Sequence, residues 1–219
     1  MKKIIFLVCI IGAFICCETN DSDFYDSGIS NGNHDCTMYE YFQLPSMYSN
    51  WDSLVVMIDK AELIPLFKGQ DPNYKDITFF GITNHSIRRY MLDRGIASIN
   101  NMSKEFCKKI IMLHILGERY MLEDINFRVP DETGDIIGAT EVNSLGGVNL
   151  LFYKEKTSWE KIADAGPVKV YLFSNNALSQ IPLASPNIST STGVVHSLNY
   201  NYTLGDIVSN NELSEIEKL

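Results

Sequence analysis

A chain of 219 residues with 45% hydrophobic and 21% charged residues has the composition of a folded protein, which excludes wholesale disorder. The length suits one large domain or two small ones. Lys and Arg total 18 against 27 Asp and Glu, a net charge of −9; phosphate-backbone binding draws on basic side chains, so no nucleic-acid partner is expected.

Lys2 and Lys3 precede an apolar run, Ile4 to Ile15. A helix needs about 20 apolar residues to span a bilayer, so this shorter run reads as a secretory signal that stands outside the fold. It ends at Cys16-Cys17 instead of a small-x-small cleavage site. An apolar stretch that ends directly in cysteine resembles a bacterial lipoprotein signal, whose cysteine thiol is acylated and becomes the new N-terminus. Cys17 is the expected lipid carrier, because small Cys16 then precedes the cut. Cys16 is the alternative, and an ordinary signal with incidental cysteines is another. Residues 1–16 are therefore expected to be the signal and 17–35 a lipid-anchored tether. Glu18 to Gly32 is rich in Asp, Asn, Ser and Gly and can bury little apolar surface. Its early acids Glu18, Asp21 and Asp23 are similar to the export signal of Bacteroidetes surface lipoproteins. Cys36 and Cys107 read as unpaired thiols, with a disulfide between them as the alternative.

The domain is expected over residues 36–209, with helices first and strands later, an α+β order. Tyr39, Tyr41, Phe42, Tyr48 and Trp51 cluster near its start and read as a first core layer, or else as a sugar-binding face. Ser49 and Asp52 have the spacing of a capping box, and Trp51, Leu54, Val55, Ile58 and Ala61 continue with helical periodicity; Pro65 marks an end nearby. Ile77 to Ile82 reads as a buried strand. Thr83-Asn84 offers an N-cap to a helix with Ile87, Tyr90 and Met91 on its apolar face and Gly95 as its stop. Ser103 opens a third helix carrying Phe106, Cys107, Ile110, Ile111, Leu113 and His114, closed by Gly117. Tyr120 to Phe127, Asp135 to Ala139, Val148 to Tyr153, Val168 to Phe173 and Gly193 to Leu198 read as short strands, with turn signals at Pro130-Asp131, Gly146-Gly147, Gly166-Pro167 and Ser174-Asn175-Asn176. Residues 210–219 read as a frayed polar tail.

Three segments carry a resemblance to a known family. Thr78-Phe79-Phe80-Gly81-Ile82-Thr83-Asn84-His85-Ser86-Ile87 resembles the first signature of fasciclin (FAS1) domains. Ile110 to Leu116 is similar to the family's histidine-bearing helix, with its histidine at His114, and Thr192-Gly193-Val194-Val195-His196-Ser197-Leu198 resembles the closing signature. Ile82, Gly81 and Thr192 depart from the family's usual proline, alanine and asparagine. The resemblance implies a FAS1-like fold, with N-terminal helices packed on a wedge of short, mostly antiparallel strands. It gives Thr83, Asn84, His114, Gly193 and His196 structural roles, and it implies adhesion or binding to protein or glycan with no catalysis.

The residues themselves point the same way. His114 and His196 lie in apolar runs and read as neutral core imidazoles. His34 and Cys36 lack the further ligands a metal needs, and no H-E-x-x-H pattern, G-x-S-x-G elbow or G-x-x-x-x-G-K-[ST] loop occurs. No metal, cofactor or catalytic residue is expected. The expected partners are a membrane, through the N-terminal lipid, and an unknown protein or glycan, which places the chain at the outer membrane. Glycan capture for polysaccharide uptake is an alternative, as is a hydrolase built from two acids brought together by the fold.

Overall fold

The computed structural model describes residues 32–45, 50–129, 135–174 and 180–219. The signal, Cys16, Cys17, Tyr48, Ser49, Pro130-Asp131 and Asn175-Asn176 lie outside the described residues. Helix α1 (Met38–Tyr41) starts at a capping box: the Glu40 amide donates to Thr37 Oγ1 and the Thr37 amide to the Glu40 carboxylate. Helix α2 (Asp52–Lys60) begins after Trp51, so Asp52 is its first residue and not the far side of a box opened by Ser49. The helix end expected near Pro65 falls at Lys60, and Pro65 itself is the second residue of α3 (Ile64–Phe67), where its fixed φ and missing N–H cost little.

Strand β1 (Ile77–Gly81) is buried along its whole length. Helix α4 (Asn84–Asp93) has Thr83 at its N-cap, without a side-chain cap bond. Asn84 instead caps a different helix: its Oδ1 accepts the Ser53 amide at 2.8 Å, and its own amide donates to Asn50 O. This serves one of the orphan donors at the start of α2 and fixes α2 against α4. Asn84→Ala should therefore cost about 1 kcal/mol and lower Tm by roughly 2–4 °C in a thermal melt. Gly95 terminates α4 as expected: with φ 65 it donates to Leu92 O, while Ile96 donates to Met91 O, the paired bonds of a Schellman motif.

Helix α5 (Lys104–Leu113) is capped by Ser103 Oγ, which accepts the Phe106 amide. It ends at His114, before Gly117, and leads directly into β2 (Ile115–Leu116). The stretch expected as a strand over Tyr120 to Phe127 holds a 3-10 turn, Leu122–Asp124, because the Asp124 carboxylate takes the Met121 amide and turns the chain. Asp135 to Ala139 is likewise no strand; Ile137 makes one isolated bridge to Val129. The remaining strands are β3 (Thr140–Asn143), β4 (Asn149–Lys156), β5 (Val168–Ser174), β6 (Ile181–Thr190) and β7 (Gly193–Leu198). The Gly146-Gly147 turn joins β3 to β4, with the Gly147 amide donating to Ser144 O. Residues 210–219 are not a frayed tail: helix α6 (Asn210–Ile216), capped by Ser209, buries Leu213 and Ile216.

The strands form one sheet in the order β2-β1-β7-β6-β5-β4-β3. Only β1 and β7 run parallel, in register from Ile77–Gly193 to Gly81–Ser197; the other pairs are antiparallel. The two ends of the sheet approach each other, since Leu116 bridges Ser144 and the Leu145 amide donates to Ile115 O at 2.7 Å. The expected wedge of short strands is thus a nearly closed seven-stranded sheet.

Burial follows from this topology. Phe79 points to the helices, meeting Phe67 and Phe42 edge-on, and Phe42 packs on Trp51. Phe80 points the other way, to Phe152 and His196. Tyr39, Phe42 and Trp51 are therefore core and not a sugar platform. Thr192 replaces the family's asparagine yet bridges well: it accepts the Met38 amide and donates to Phe67 O. Gly32 to His34, expected in the tether, pair with β6 through Ser189. Cys36 and Cys107 are unpaired, and burial raises the Cys107 thiol to about 11. Among the described residues no helix is long and apolar enough to cross a membrane.

Candidate functional site

The residues singled out by the family resemblance are spread through the core. His114 is fully buried; its Nδ1–H donates to Ile110 O at 2.8 Å, and its Nε2 accepts the Tyr202 hydroxyl at 2.6 Å. His196 carries the opposite tautomer. Its Nε2–H donates to Tyr120 O at 2.8 Å, and its Nδ1 accepts the Asn187 amide at 3.2 Å. Each partner is a backbone group or a buried phenol, so both rings are neutral, and burial holds both at about 4. Neither ring reaches a pocket with a free nitrogen. Thr83 is buried beside Ser86, and Gly193 opens β7 against Ile77. Among the described residues no cluster of His, Cys, Asp and Glu is placed to hold a metal.

A different region has the marks of a binding surface. Eleven large apolar side chains are exposed among the described residues. Six of them, Phe127, Val129, Ile137, Trp159, Ile162 and Val168, lie at the end of the sheet where β4 turns into β5. Within that connection Trp159 and Ile162 exchange both backbone hydrogen bonds, at 3.0 and 2.8 Å, around Glu160 and Lys161. Those two residues have φ of 45° and 71°, the positive pair of a type I′ turn, usually reserved for Asn and Gly. The left-handed conformation costs roughly 1–2 kcal/mol for each such residue. What it presents is Trp159 at 60% and Ile162 at 63% exposure, side by side at the tip.

Behind the tip is a pocket of about 330 Å³ lined by Phe127, Arg128, Glu155, Lys156 and Asp164. Residues 126–128 are laid along β4 by a parallel bridge: Arg128 N–H donates to Lys154 O, and Lys154 N–H to Asn126 O. This fixes the half-exposed Phe127 ring, with Lys154 Nζ 4.8 Å and Lys156 Nζ 5.7 Å from its centroid. Lys154 also donates to Leu122 O, so one ammonium is anchored. Arg128 lies deeper. Its Nη2 is 3.4 Å from Glu155 Oε1, a long ion pair, and its Nε is buried with no hydrogen-bond partner. The buried Tyr153 hydroxyl likewise lacks a well-formed hydrogen bond and has Arg128 as its polar neighbour; burial raises it to about 12, with the Arg128 charge and hydrogen bonding pulling the other way. Phe127, Glu155, Lys156 and Asp164 come from three segments with no shared motif, and none was singled out in the sequence.

The architecture matches a solved structure. A FAS1 domain pair from the insect cell adhesion molecule fasciclin I aligns with a TM-score of 0.50 at 14% sequence identity, covering 79% of this chain. The fold is FAS1-like. The alignment covers 53% of the other chain, so this protein spans about half the length of that domain pair. No family model and no curated protein matches the sequence. Within the FAS1-like fold the two signature-like segments are the paired central strands, β1 and β7, and the third supplies α5 and His114.

Proposed function

We propose that the chain is a non-catalytic binding or adhesion module of the fasciclin type, anchored by a lipid on Cys17, or alternatively Cys16, and displayed at the outer surface of a bacterial envelope. The insect neighbour is described as a cell adhesion molecule, which supports the class. The observation that carries the reading here is the exposed Trp159–Ile162 tip, held in a turn its own residues disfavour. Strained backbone that displays apolar side chains is common at ligand sites, and Trp is enriched among residues that dominate binding energy. The partner is a protein or a glycan. No turnover is part of the reading.

The test joins location to adhesion. Cells expressing the full chain should carry it in the membrane fraction, and mass spectrometry should find an acylated N-terminal cysteine. Their adhesion to a panel of immobilised matrix proteins and polysaccharides should fall at least tenfold, about 1.4 kcal/mol, in the Trp159→Ala, Ile162→Ala double variant, with Tm unchanged. A soluble, unacylated chain, or full adhesion by the double variant, would overturn the reading.

A further inference from the structure

We propose that the pocket behind the hairpin tip binds an acidic pyranose, a uronate residue of a polysaccharide. The inference rests on the reading of this end as a ligand face and names its ligand.

The pocket has the size of a small ligand site, and its lining is chemically mixed in a way that narrows the occupant. Arg128 and Lys156 supply cationic donors, while Glu155 and Asp164 supply acceptors. Arg128 is held only loosely on the pocket side, since its Nη2 lies 3.4 Å from Glu155 Oε1. A guanidinium presents five N–H donors in a planar fork that fits a carboxylate. Lys154, its ammonium anchored on Leu122 O, adds one further cation beside Phe127. These cations call for an anion even though the chain carries a net charge of −9.

The acids decide which anion. Asp164, held at φ 60, lines the pocket beside Glu155. A bare carboxylate, such as an aspartyl or glutamyl side chain, would leave these two acceptors without donors and would add repulsion. A uronate ring brings both halves: one carboxylate for Arg128 and Lys156, and vicinal hydroxyls whose protons Glu155 and Asp164 can accept. Phe127, 41% exposed at the pocket, adds apolar surface for the C–H groups of a pyranose. Repulsion by the acidic remainder of the protein is long-ranged and screened over about 8 Å at physiological ionic strength, whereas these contacts are made at hydrogen-bond distance.

Isothermal titration of the full-length chain at physiological salt tests the assignment with three probes: trigalacturonate, a neutral hexose trisaccharide and triglutamate. Trigalacturonate should bind and the other two should not. Arg128→Gln should weaken binding at least tenfold, and Asp164→Asn severalfold, while Leu92→Ala, exposed on α4 and outside the pocket lining, should bind uronate like the parent. If Arg128→Gln does not fold, as judged by its melt, Lys156→Ala takes its place with the same expectation. Equal binding of the neutral sugar, binding of triglutamate in place of the uronate, or unchanged affinity in the pocket variants would each overturn the proposal. Adhesion that depends on Trp159 and Ile162 without any uronate binding would sink the pocket assignment alone and leave the wider reading standing; loss of both would sink both.

Discussion

Gly193→Ala is expected to be the most damaging single-methyl change in the molecule. Gly193 has φ 149 and opens β7 directly beside Ile77 of the parallel partner strand. A Cβ at this position would lie 2.0 Å from Ile77 O and 2.8 Å from Met38 Cε. The methionine tip can move aside, but the carbonyl belongs to the backbone of a fully buried strand and cannot. The first pairing of the two central strands must therefore break. A loss of about 4 kcal/mol or more is expected, against a total stability of roughly 5–15 kcal/mol for ordinary domains. Gly95→Ala is the internal control: φ is 65 but no atom lies within 4 Å of the added carbon, so only backbone strain, roughly 1–2 kcal/mol, is at stake. Urea denaturation of both variants checks the ranking. Equal losses would show that conformation, and not the contact with Ile77, sets the requirement at Gly193.

Acid should weaken the fold between neutral pH and pH 4, and the two core histidines should account for much of it. Burial lowers both from an ordinary value of 6.5 to about 4. The unfolded chain therefore takes up protons near pH 6.5 that the folded chain refuses until about pH 4. Stability from the neutral rings is complete above the unfolded value, is lost as pH falls, and levels off below the folded value. Each shift corresponds to about 3 kcal/mol. Asp206 acts in the opposite sense, since burial raises its carboxyl. Denaturation at pH 7.5 and 4.5 should show the loss, coupled to proton uptake on unfolding. His114→Gln keeps an acceptor for the Tyr202 hydroxyl but cannot titrate, so its stability should fall less between the two pH values. An unchanged pH dependence in that variant would refute the assignment.

These two sites were among the more legible parts of the sequence, and the reasons are physical. β1, β7 and the core of β4 and β5 are runs of apolar residues that have no alternative to burial, and α4 and α5 carry their stops and caps in Gly95 and Ser103. No strand was expected at β6 (Ile181–Thr190), where Pro182, Pro186 and Asn187 are residue types that favour turns. In the fold Pro186 and Asn187 fall where the register with β7 slips between Ser185 and Ile188, and Asn187 adopts φ 60, so the turn-like residues mark an irregularity within a strand. Helix α6 was missed through its polarity, although Ser209 followed by Glu212, with Leu213 and Ile216 three apart, was a usable signal. The candidate pocket was not legible at all. Phe127 and Arg128 reach it through the parallel bridge of Phe127 to Lys154, Asp164 by a loop, and the Glu160-Lys161 turn contains neither Gly nor Asn to announce itself.

The parallel pairing of β1 with β7 also governs when the domain can come together. The strand that follows the first helices has its central neighbour only at Gly193–Leu198, after the rest of the sheet has been laid down in sequence. The loop that must close is most of the domain, and such distant contacts slow folding because chain entropy is spent before the contacts repay it. Until residue 198 is available, β1 presents an unpaired apolar edge of the kind that recruits other chains. A truncation before Gly193 thus removes the interior strand that joins β1 to β6 and not merely the last strand in the chain, and what is left would be a sticky fragment in place of a smaller working module.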